Sequence, residues 1–364
     1  MKNICFFNTM KFWGGGEKLH LEYAEKFKEK GYNVSLVADH NSPLFERAKN
    51  NFDIFHTNGG NLSFLNLIKI QKLVRHYKQS KIDTVVFSSS HDAKLASISA
   101  SMANIKNIVY LRGLAVPIKS SIVNRYIFNK AITHVVANSE ETKRTILQNL
   151  KGSFDEKKIS VVYHGIDLDI IDKKEITELK EITERKRGQV IIGNAGRLTL
   201  QKGQHHLIEI ARILKKKKLD FTIFIAGTGD LKSVLEQKIK EYNLEKEVVL
   251  LGFVEDIDRF MNSLDIFALT SKWEGFGFVI VEAMAQHKPC VAYNITSNPE
   301  IIEKDETGFL VEYADNKAFA DKIEQLIKDK ELRINMGTKG RQRAERNFQI
   351  KNVFDEFEKC LLEK

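Results

Sequence analysis

The chain predicts an α/β protein of two doubly wound parallel-sheet halves, and three observations predict it. Short apolar, β-branched runs alternate with amphipathic helical patterns along the whole length. The alternation breaks once, at 167–188, where DLDIIDKKEITELKEITERKRG is dense in charge and poor in core residues. At 364 residues the chain is long for one core and comfortable for two.

Taken in order, the first half offers strands at 3–8, 33–38, 52–57, 82–89, 106–112, 133–138 and 159–164. Helices fall between most of them, for instance 17–30, closed by Gly31. The second half offers strands at 189–196, 220–227, 247–252, 264–269 and 289–294, then helices near 315–328 and 330–346. The expected domains are therefore 1–166 and 189–346, joined by a linker at 167–188. A last helix, within 347–364, is expected to pack back on the first domain. Two such halves would leave a cleft, and ligands of doubly wound sheets sit at the carboxyl ends of the strands.

Composition narrows the class. A content of 43% hydrophobic and 29% charged residues is that of a globular chain. No apolar run approaches the ~18 residues of a membrane span, and MKNICFFNTM reads as a first strand and not as a signal peptide. Cys5, Cys290 and Cys360 are far apart and lack CxxC spacing, which argues against a disulfide framework or a zinc site and fits a reducing cytoplasm. The net charge of +9 reads as spread through mixed-sign helices. Lys215 to Lys218 form its one dense run, suited either to a helix C-terminus or to a phosphate-bearing or anionic-lipid surface. No basic–aromatic interleaving points to nucleic acid.

Five strand ends carry candidate chemistry. After the first strand, KFWGGGEKLH places Gly15 and Gly16 where backbone N–H groups can approach a phosphate, although a tight turn explains them too. It is not GxGxxG, because Lys18 and Leu19 stand where later glycines would fall. In GNAGRLTLQKGQHHL, Arg197 and Lys202 flank a loop before a helix, a pairing of guanidinium fork and mobile ammonium that suits a diphosphate, although a pair of exposed loop cations explains them too. FIAGTGDLKSVL ends a strand in Gly227 and Gly229, with Asp230 the expected N-cap of the next helix. VVFSSSHDAKLAS brings His91 to the end of another strand, at the opening of a helix.

The fifth stretch, WEGFGFVIVEAMAQH, sets Glu274 and Glu282 eight positions apart in otherwise apolar sequence. A helix from Phe278 carries Glu282 about one turn in, and helical side chains lean toward the N-terminus. Glu274 and the amides of Phe276, Gly277 and Phe278 converge on that end. Amide donors suit phosphate and carboxylates suit vicinal hydroxyls, so a sugar nucleotide matches both. The alternative is a structural partner for a carboxylate that is costly to bury alone.

The order and spacing of EGFGFVIVE, GRLTLQKGQHHLIEIA, IAGTGDLKSVL and VVLLGFVEDIDRFMNSLDIFALTS resemble retaining glycosyltransferases of family 4 over nearly the whole chain. The resemblance implies the GT-B fold, two Rossmann-like doubly wound domains facing a cleft. It implies that Arg197 and Lys202 hold the donor diphosphate, Glu282 the ribose diol and Glu274 the donor sugar. The amides of Phe276 to Val279 would help at sugar and phosphate, and Val254 in GFVED would touch the base. Gly15 and Gly16 would close on the phosphates, and His91 would approach the sugar ring. Arg197, Lys202 and helix dipoles would neutralise the leaving diphosphate, so the expected donor is a UDP- or GDP-linked sugar used without a metal or other cofactor. The partners implied are that donor and a glycan or lipid-linked acceptor.

His164-Gly165 stands where the family often has Asn-Gly, and Arg112 where it often has His, both outside the donor motifs. FWGGGEK looks most like bacterial enzymes of lipopolysaccharide or other surface-glycan assembly. Residues 112–130, RGLAVPIKSSIVNRYIFNK, suit either a peripheral contact with the cytoplasmic face of an inner membrane or an amphipathic core helix. A nucleotide-sugar epimerase or a non-catalytic sugar-nucleotide binder of the same fold is the rival reading. A dinucleotide oxidoreductase is disfavoured by the missing GxGxxG.

Overall fold

The computed structural model describes residues 2–150, 152, 154–184 and 188–362. The chain divides into two compact units, one of residues 1–164 with 353–364 and one of residues 165–352. In the first unit, β1 (Asn3–Phe7), β2 (Asn33–Ala38), β3 (Asp53–His56), β4 (Thr84–Phe87), β5 (Asn107–Arg112), β6 (His134–Ala137) and β7 (Ile159–Val161) form one sheet. Their order is β3-β2-β1-β4-β5-β6-β7, and the pairing is parallel, from Asn3 opposite Asn33 to Ala137 opposite Val161. Central strands are buried on both faces, as Ile4, Cys5, Phe6 and Phe7 show, which is why they read as continuous apolar runs.

The second unit repeats the plan with β8 (Val190–Ala195), β9 (Phe221–Ala226), β10 (Val248–Gly252), β11 (Ile266–Leu269), β12 (Cys290–Tyr293) and β13 (Gly308–Val311). The order is β10-β9-β8-β11-β12-β13, again parallel. Strand β13 was not expected. Its four residues, GFLV, begin with a glycine and lie on the sheet edge beside β12, too short for a period to register.

Three other expectations change in detail. The charged stretch 167–188 is part of the second unit: Leu168, Ile171 and Ile182 are buried, and its charges meet partners there. Asp172 accepts from Arg341 at 2.6 Å, and Lys174 reaches Asp256 at 3.0 Å and Asp258 at 3.3 Å. Residues 185–187 of that stretch lie outside the described residues. Asp230 is not an N-cap, since the Lys232–Glu241 helix starts behind Leu231 without a side-chain cap. The Lys330–Phe348 helix runs two residues past its expected end, and the Ile350–Leu362 helix joins the first unit from Val353 on. There the Phe357 ring stacks on Tyr23 at 4.4 Å, and Lys30 bonds Asp355 and Glu358, each at 2.7 Å.

Each sheet reverses its winding once, between β1 and β4 in the first unit and between β8 and β11 in the second. Neighbouring crossovers leave such a point toward opposite faces, so the loops at the strands' carboxyl ends diverge and leave room for a ligand. The loop after β8 carries Arg197 and Lys202, and the loop after β11 carries Glu274. In the first unit the loop after β1 leads into Gly15 and Gly16, and the loop after β4 carries His91.

Candidate active site

In the second unit the two switch-point loops are stitched together by their backbones. Lys272 N donates to the Gln201 carbonyl at 2.7 Å, and Gln201 Nε2 donates to the Trp273 carbonyl at 3.1 Å. Thr270 Oγ1 donates to the Gly203 carbonyl at 3.0 Å. Gly203 (φ 63°) precedes the Gln204–Lys216 helix, and a Cβ there would lie 2.1 Å from the Thr270 carbonyl oxygen. The approach of the loops is therefore open only to glycine.

This stitching sets the central contact. Lys202 Nζ lies 2.7 Å and 3.0 Å from the two carboxylate oxygens of Glu274, which is buried. Ser271 Oγ donates to Glu274 Oε1 at 2.5 Å, and the Glu274 amide donates to Thr296 Oγ1 at 3.1 Å. Arg197 is exposed on the same loop as Lys202, and among the described residues its guanidinium has no ion-pair partner. Its carbonyl is held by Gln204 Nε2 at 3.1 Å. The site thus presents one paired cation and one available cation at the head of a helix.

The Phe278–Ala285 helix opens behind Gly277 (φ 92°), so its first-turn N–H groups face away from the helix body, as a helix N-terminus requires. Glu282 is half-buried one turn in. The other end is held by Arg341 Nη1, which donates to the Ala285 carbonyl at 2.8 Å. Phe276 contributes backbone only: its ring is buried edge-on to Phe348, and its carbonyl accepts from Ser297 Oγ at 2.7 Å.

Gly227 and Gly229 serve the loop that holds the cations. A Cβ on Gly227 would lie 2.0 Å from the Gly196 carbonyl oxygen, and one on Gly229 would lie 2.4 Å from that of Leu198. Gly227 N in turn donates to the Gly252 carbonyl at 2.6 Å, which ties in the β10 loop two residues before Val254. Beside Val254, Phe253 is 77% exposed, a feature that a generic apolar run concealed. The dense lysine run faces elsewhere. Lys215 pairs with Glu247 at 3.0 Å and Lys217 with Asp321 and Glu324, at the exposed C-terminal end of the Gln204–Lys216 helix.

The first unit's switch point is built around a fully buried carboxylate. Asp92 accepts from Thr9 N at 2.9 Å and from Thr9 Oγ1 at 2.5 Å. His91, partly exposed, has Nδ1 3.4 Å from Asp92 Oδ1, and that carboxylate raises the imidazole pKa. The helix that follows starts at Ala93, two residues after His91. Gly15 and Gly16 open the Gly15–Glu29 helix, and nothing lies within 4 Å of a Cβ on either. Glu17, next in line, is buried, and burial raises its carboxyl pKa. Sequence reasoning passed over Thr9, Glu17 and Asp92; the only signals were that Thr9 and Asp92 lie two and five residues beyond strands and that Glu17 is in the first turn of the helix after β1.

Comparison with known proteins identifies the family and the fold. The model for Glycosyltransferase Family 4 matches residues 13–170, and that for Glycosyl transferases group 1 matches 175–343. An Escherichia coli UDP-Gal:alpha-D-GlcNAc-diphosphoundecaprenol alpha-1,3-galactosyltransferase is 27% identical over 352 residues, covering 91% of this chain and 89% of that protein. The Staphylococcus aureus capsular polysaccharide biosynthesis glycosyltransferase CapM is 31% identical over 231 residues, covering 62% of this chain and 60% of its own length. Among solved structures, a Rickettsia africae glycosyltransferase superposes with a TM-score of 0.87 at 22% identity, over 100% of this chain and 98% of that one. Anabaena HepE in complex with UDP and glucose gives 0.85 at 21% identity, with 100% of both chains covered. With its two parallel sheets, and with the two family models accounting for nearly all of its length, the chain belongs to glycosyltransferase family 4 and has the GT-B fold.

Proposed function

We propose that this glycosyltransferase is retaining and metal-independent, and that it moves a sugar from a UDP- or GDP-linked donor to a glycan or lipid-linked acceptor. The setting is bacterial surface-glycan assembly, of lipopolysaccharide or a similar polymer, on the cytoplasmic side. The E. coli relative is named for a UDP-galactose donor and a diphosphoundecaprenol-linked acceptor, which supports both halves of the reading.

The observation that carries it is the Lys202–Glu274 pair beside an unpaired Arg197 at the switch point. In this reading neither glutamate attacks the sugar, and the two cations meet the departing diphosphate. With donor bound, the Lys202 ammonium turns to the β-phosphate and Glu274 to the sugar hydroxyls, while Glu282 takes the ribose diol. The bond from sugar C1 to the phosphate oxygen breaks with its electron pair going to the diphosphate, whose charge Arg197 and Lys202 offset. The acceptor oxygen bonds C1 from the same face, and its proton passes to the departing phosphate oxygen.

The test is transfer from a panel of UDP- and GDP-sugars to a lipid-diphosphate acceptor analogue, in the presence of a chelator, with the product's anomeric configuration read by NMR. Inverted product overturns the retaining assignment, and loss of turnover on chelation overturns metal independence. Conversion of the donor without acceptor would instead make the protein an epimerase.

A further inference from the structure

We propose that the carboxyl-end edge of the first unit's sheet, between segments 62–68 and 114–126, docks on an anionic lipid bilayer. Charge is the first argument. Residues 54–139 hold 11 Lys and Arg against 2 Asp and Glu, an excess equal to the whole chain's +9, so the rest of the chain balances. The net charge is thus not spread through mixed-sign helices, as its even appearance suggests. Of the two acids, Asp92 is buried, and Asp83 precedes β4 at the opposite edge of the sheet, where it accepts from Asn3 N at 2.8 Å.

Apolar exposure is the second argument. Leu62, Leu65, Leu67 and Ile68 are each at least 64% exposed, and Ile122 is 88% exposed. Soluble surfaces rarely gather large aliphatic side chains so closely. The two segments belong to one face: they follow the carboxyl ends of β3 and β5, and the Ala93–Met102 helix packs against both the Ser63–Leu65 turn and the Ile127–Ala131 turn. Arg112, Ala115, Ile118, Ile127 and Phe128 are buried while Leu114, Val116, Ile122 and Tyr126 are exposed, so 112–130 supplies side chains to both core and surface.

Cations frame the aliphatic tips. Lys69 is pinned to the Asn58 carbonyl at 2.9 Å, Lys94 lies 5.2 Å over the Phe64 ring, and Lys72, Lys119 and Arg125 are exposed. Aliphatic tips that enter the headgroup boundary while ammonium and guanidinium groups meet lipid phosphates are how an interfacial surface binds. A single-stranded nucleic acid would call for exposed aromatic platforms beside the cations, and the exposed side chains here are chiefly Leu and Ile. The inference stands apart from the proposed reaction, since it uses none of the donor-site residues.

Sedimentation of the full chain with vesicles tests it. Binding is expected to phosphatidylcholine vesicles containing about one third phosphatidylglycerol, to weaken with salt, and to be absent on phosphatidylcholine alone. Leu65→Ser/Ile68→Ser and Lys72→Glu/Lys119→Glu should each lower binding by roughly tenfold or more. All four side chains are exposed or at the surface, so the melting temperature should not move. Equal binding by variants and wild type, indifference to lipid charge, or tighter binding to single-stranded RNA at the same salt would overturn the proposal.

Discussion

The Lys202 ammonium and the Glu274 carboxylate, 72 positions apart, meet in a two-oxygen contact of 2.7 Å and 3.0 Å at the switch point of the second sheet. Each holds the other's charge in a place where neither is well solvated. Side-chain exposure is 16% for the lysine and 7% for the glutamate. Removing either partner alone therefore costs more than the pair contributes.

A double-mutant comparison follows from that asymmetry. Lys202→Ala should abolish transfer and also destabilise the second unit by about 3 kcal/mol, because Glu274 is left buried with Ser271 as its remaining side-chain donor. Lys202→Ala/Glu274→Gln should recover most of that stability and none of the activity. Denaturant melts with donor-turnover assays check both. Recovery of activity in the double variant would show that the lysine serves the glutamate and not the leaving group.

Thr296 supplies a second test. Its φ of 42° is a left-handed conformation that a β-branched residue adopts at a cost of about 1–2 kcal/mol. Its Oγ1 accepts the Glu274 amide at 3.1 Å, a bond that contributes about 1 kcal/mol. Thr296→Gly should thus leave the melting temperature nearly unchanged while lowering kcat several-fold, because Glu274 loses its anchor. Thr296→Ser should keep kcat. Equal rates in the two variants would remove Thr296 from the site's support.

Glycines divide into two kinds, and alanine separates them. Gly227 (φ 142°) cannot gain a Cβ without displacing the Gly196 carbonyl, so Gly227→Ala should lose about 2 kcal/mol or more along with activity. Gly15→Ala meets open space in the free protein and should keep or raise stability. If Gly15 closes on donor phosphates, its variant raises the donor KM alone. An unchanged KM would leave Gly15 as a turn residue.

His20 gives a pH dependence. Both ring nitrogens are buried without a hydrogen-bond partner, and burial lowers its pKa from 6.5 to about 3. The unfolded chain takes up a proton near 6.5, and the folded chain does not until near 3. The stabilising effect of a neutral His20 is complete above that upper value. It falls as pH drops below it, by up to about 1.4 kcal/mol per pH unit. Between pH 7 and pH 5.5, wild type should lose about 1 kcal/mol more than His20→Met, as read from urea midpoints. Parallel losses would mean that His20 is hydrated in solution.

Much of this protein was legible before folding. Parallel strands buried on both faces announce themselves as apolar runs, which is why twelve of the thirteen strands among the described residues, Asn3–Phe7 through Cys290–Tyr293, fall inside expected stretches. Edge strand β13 escaped because four residues starting with glycine carry no pattern. The 167–188 stretch misled because its charges have partners elsewhere in the unit, such as Arg341 for Asp172, and local composition is blind to them.

The same division runs through the candidate site. The sequence by itself determined which loops follow which strands, and so which residues would lie at the strands' carboxyl ends, because alternating elements give parallel strands joined by crossovers; the strand order, and with it the switch points, came from the tertiary structure. It also put Arg197 and Lys202 on one such loop, and Glu274 on another ahead of the helix that carries Glu282. Only the tertiary structure decided that Lys202 pairs with Glu274, that Gly227 is a spacer for the Gly196 carbonyl, and that Thr296 bears strain to hold the Glu274 amide. Those are contacts across 20 to 75 positions of chain. They depend on distances of a few tenths of an ångström and on which partner each buried polar group finds, and neither quantity is written in a run of neighbours.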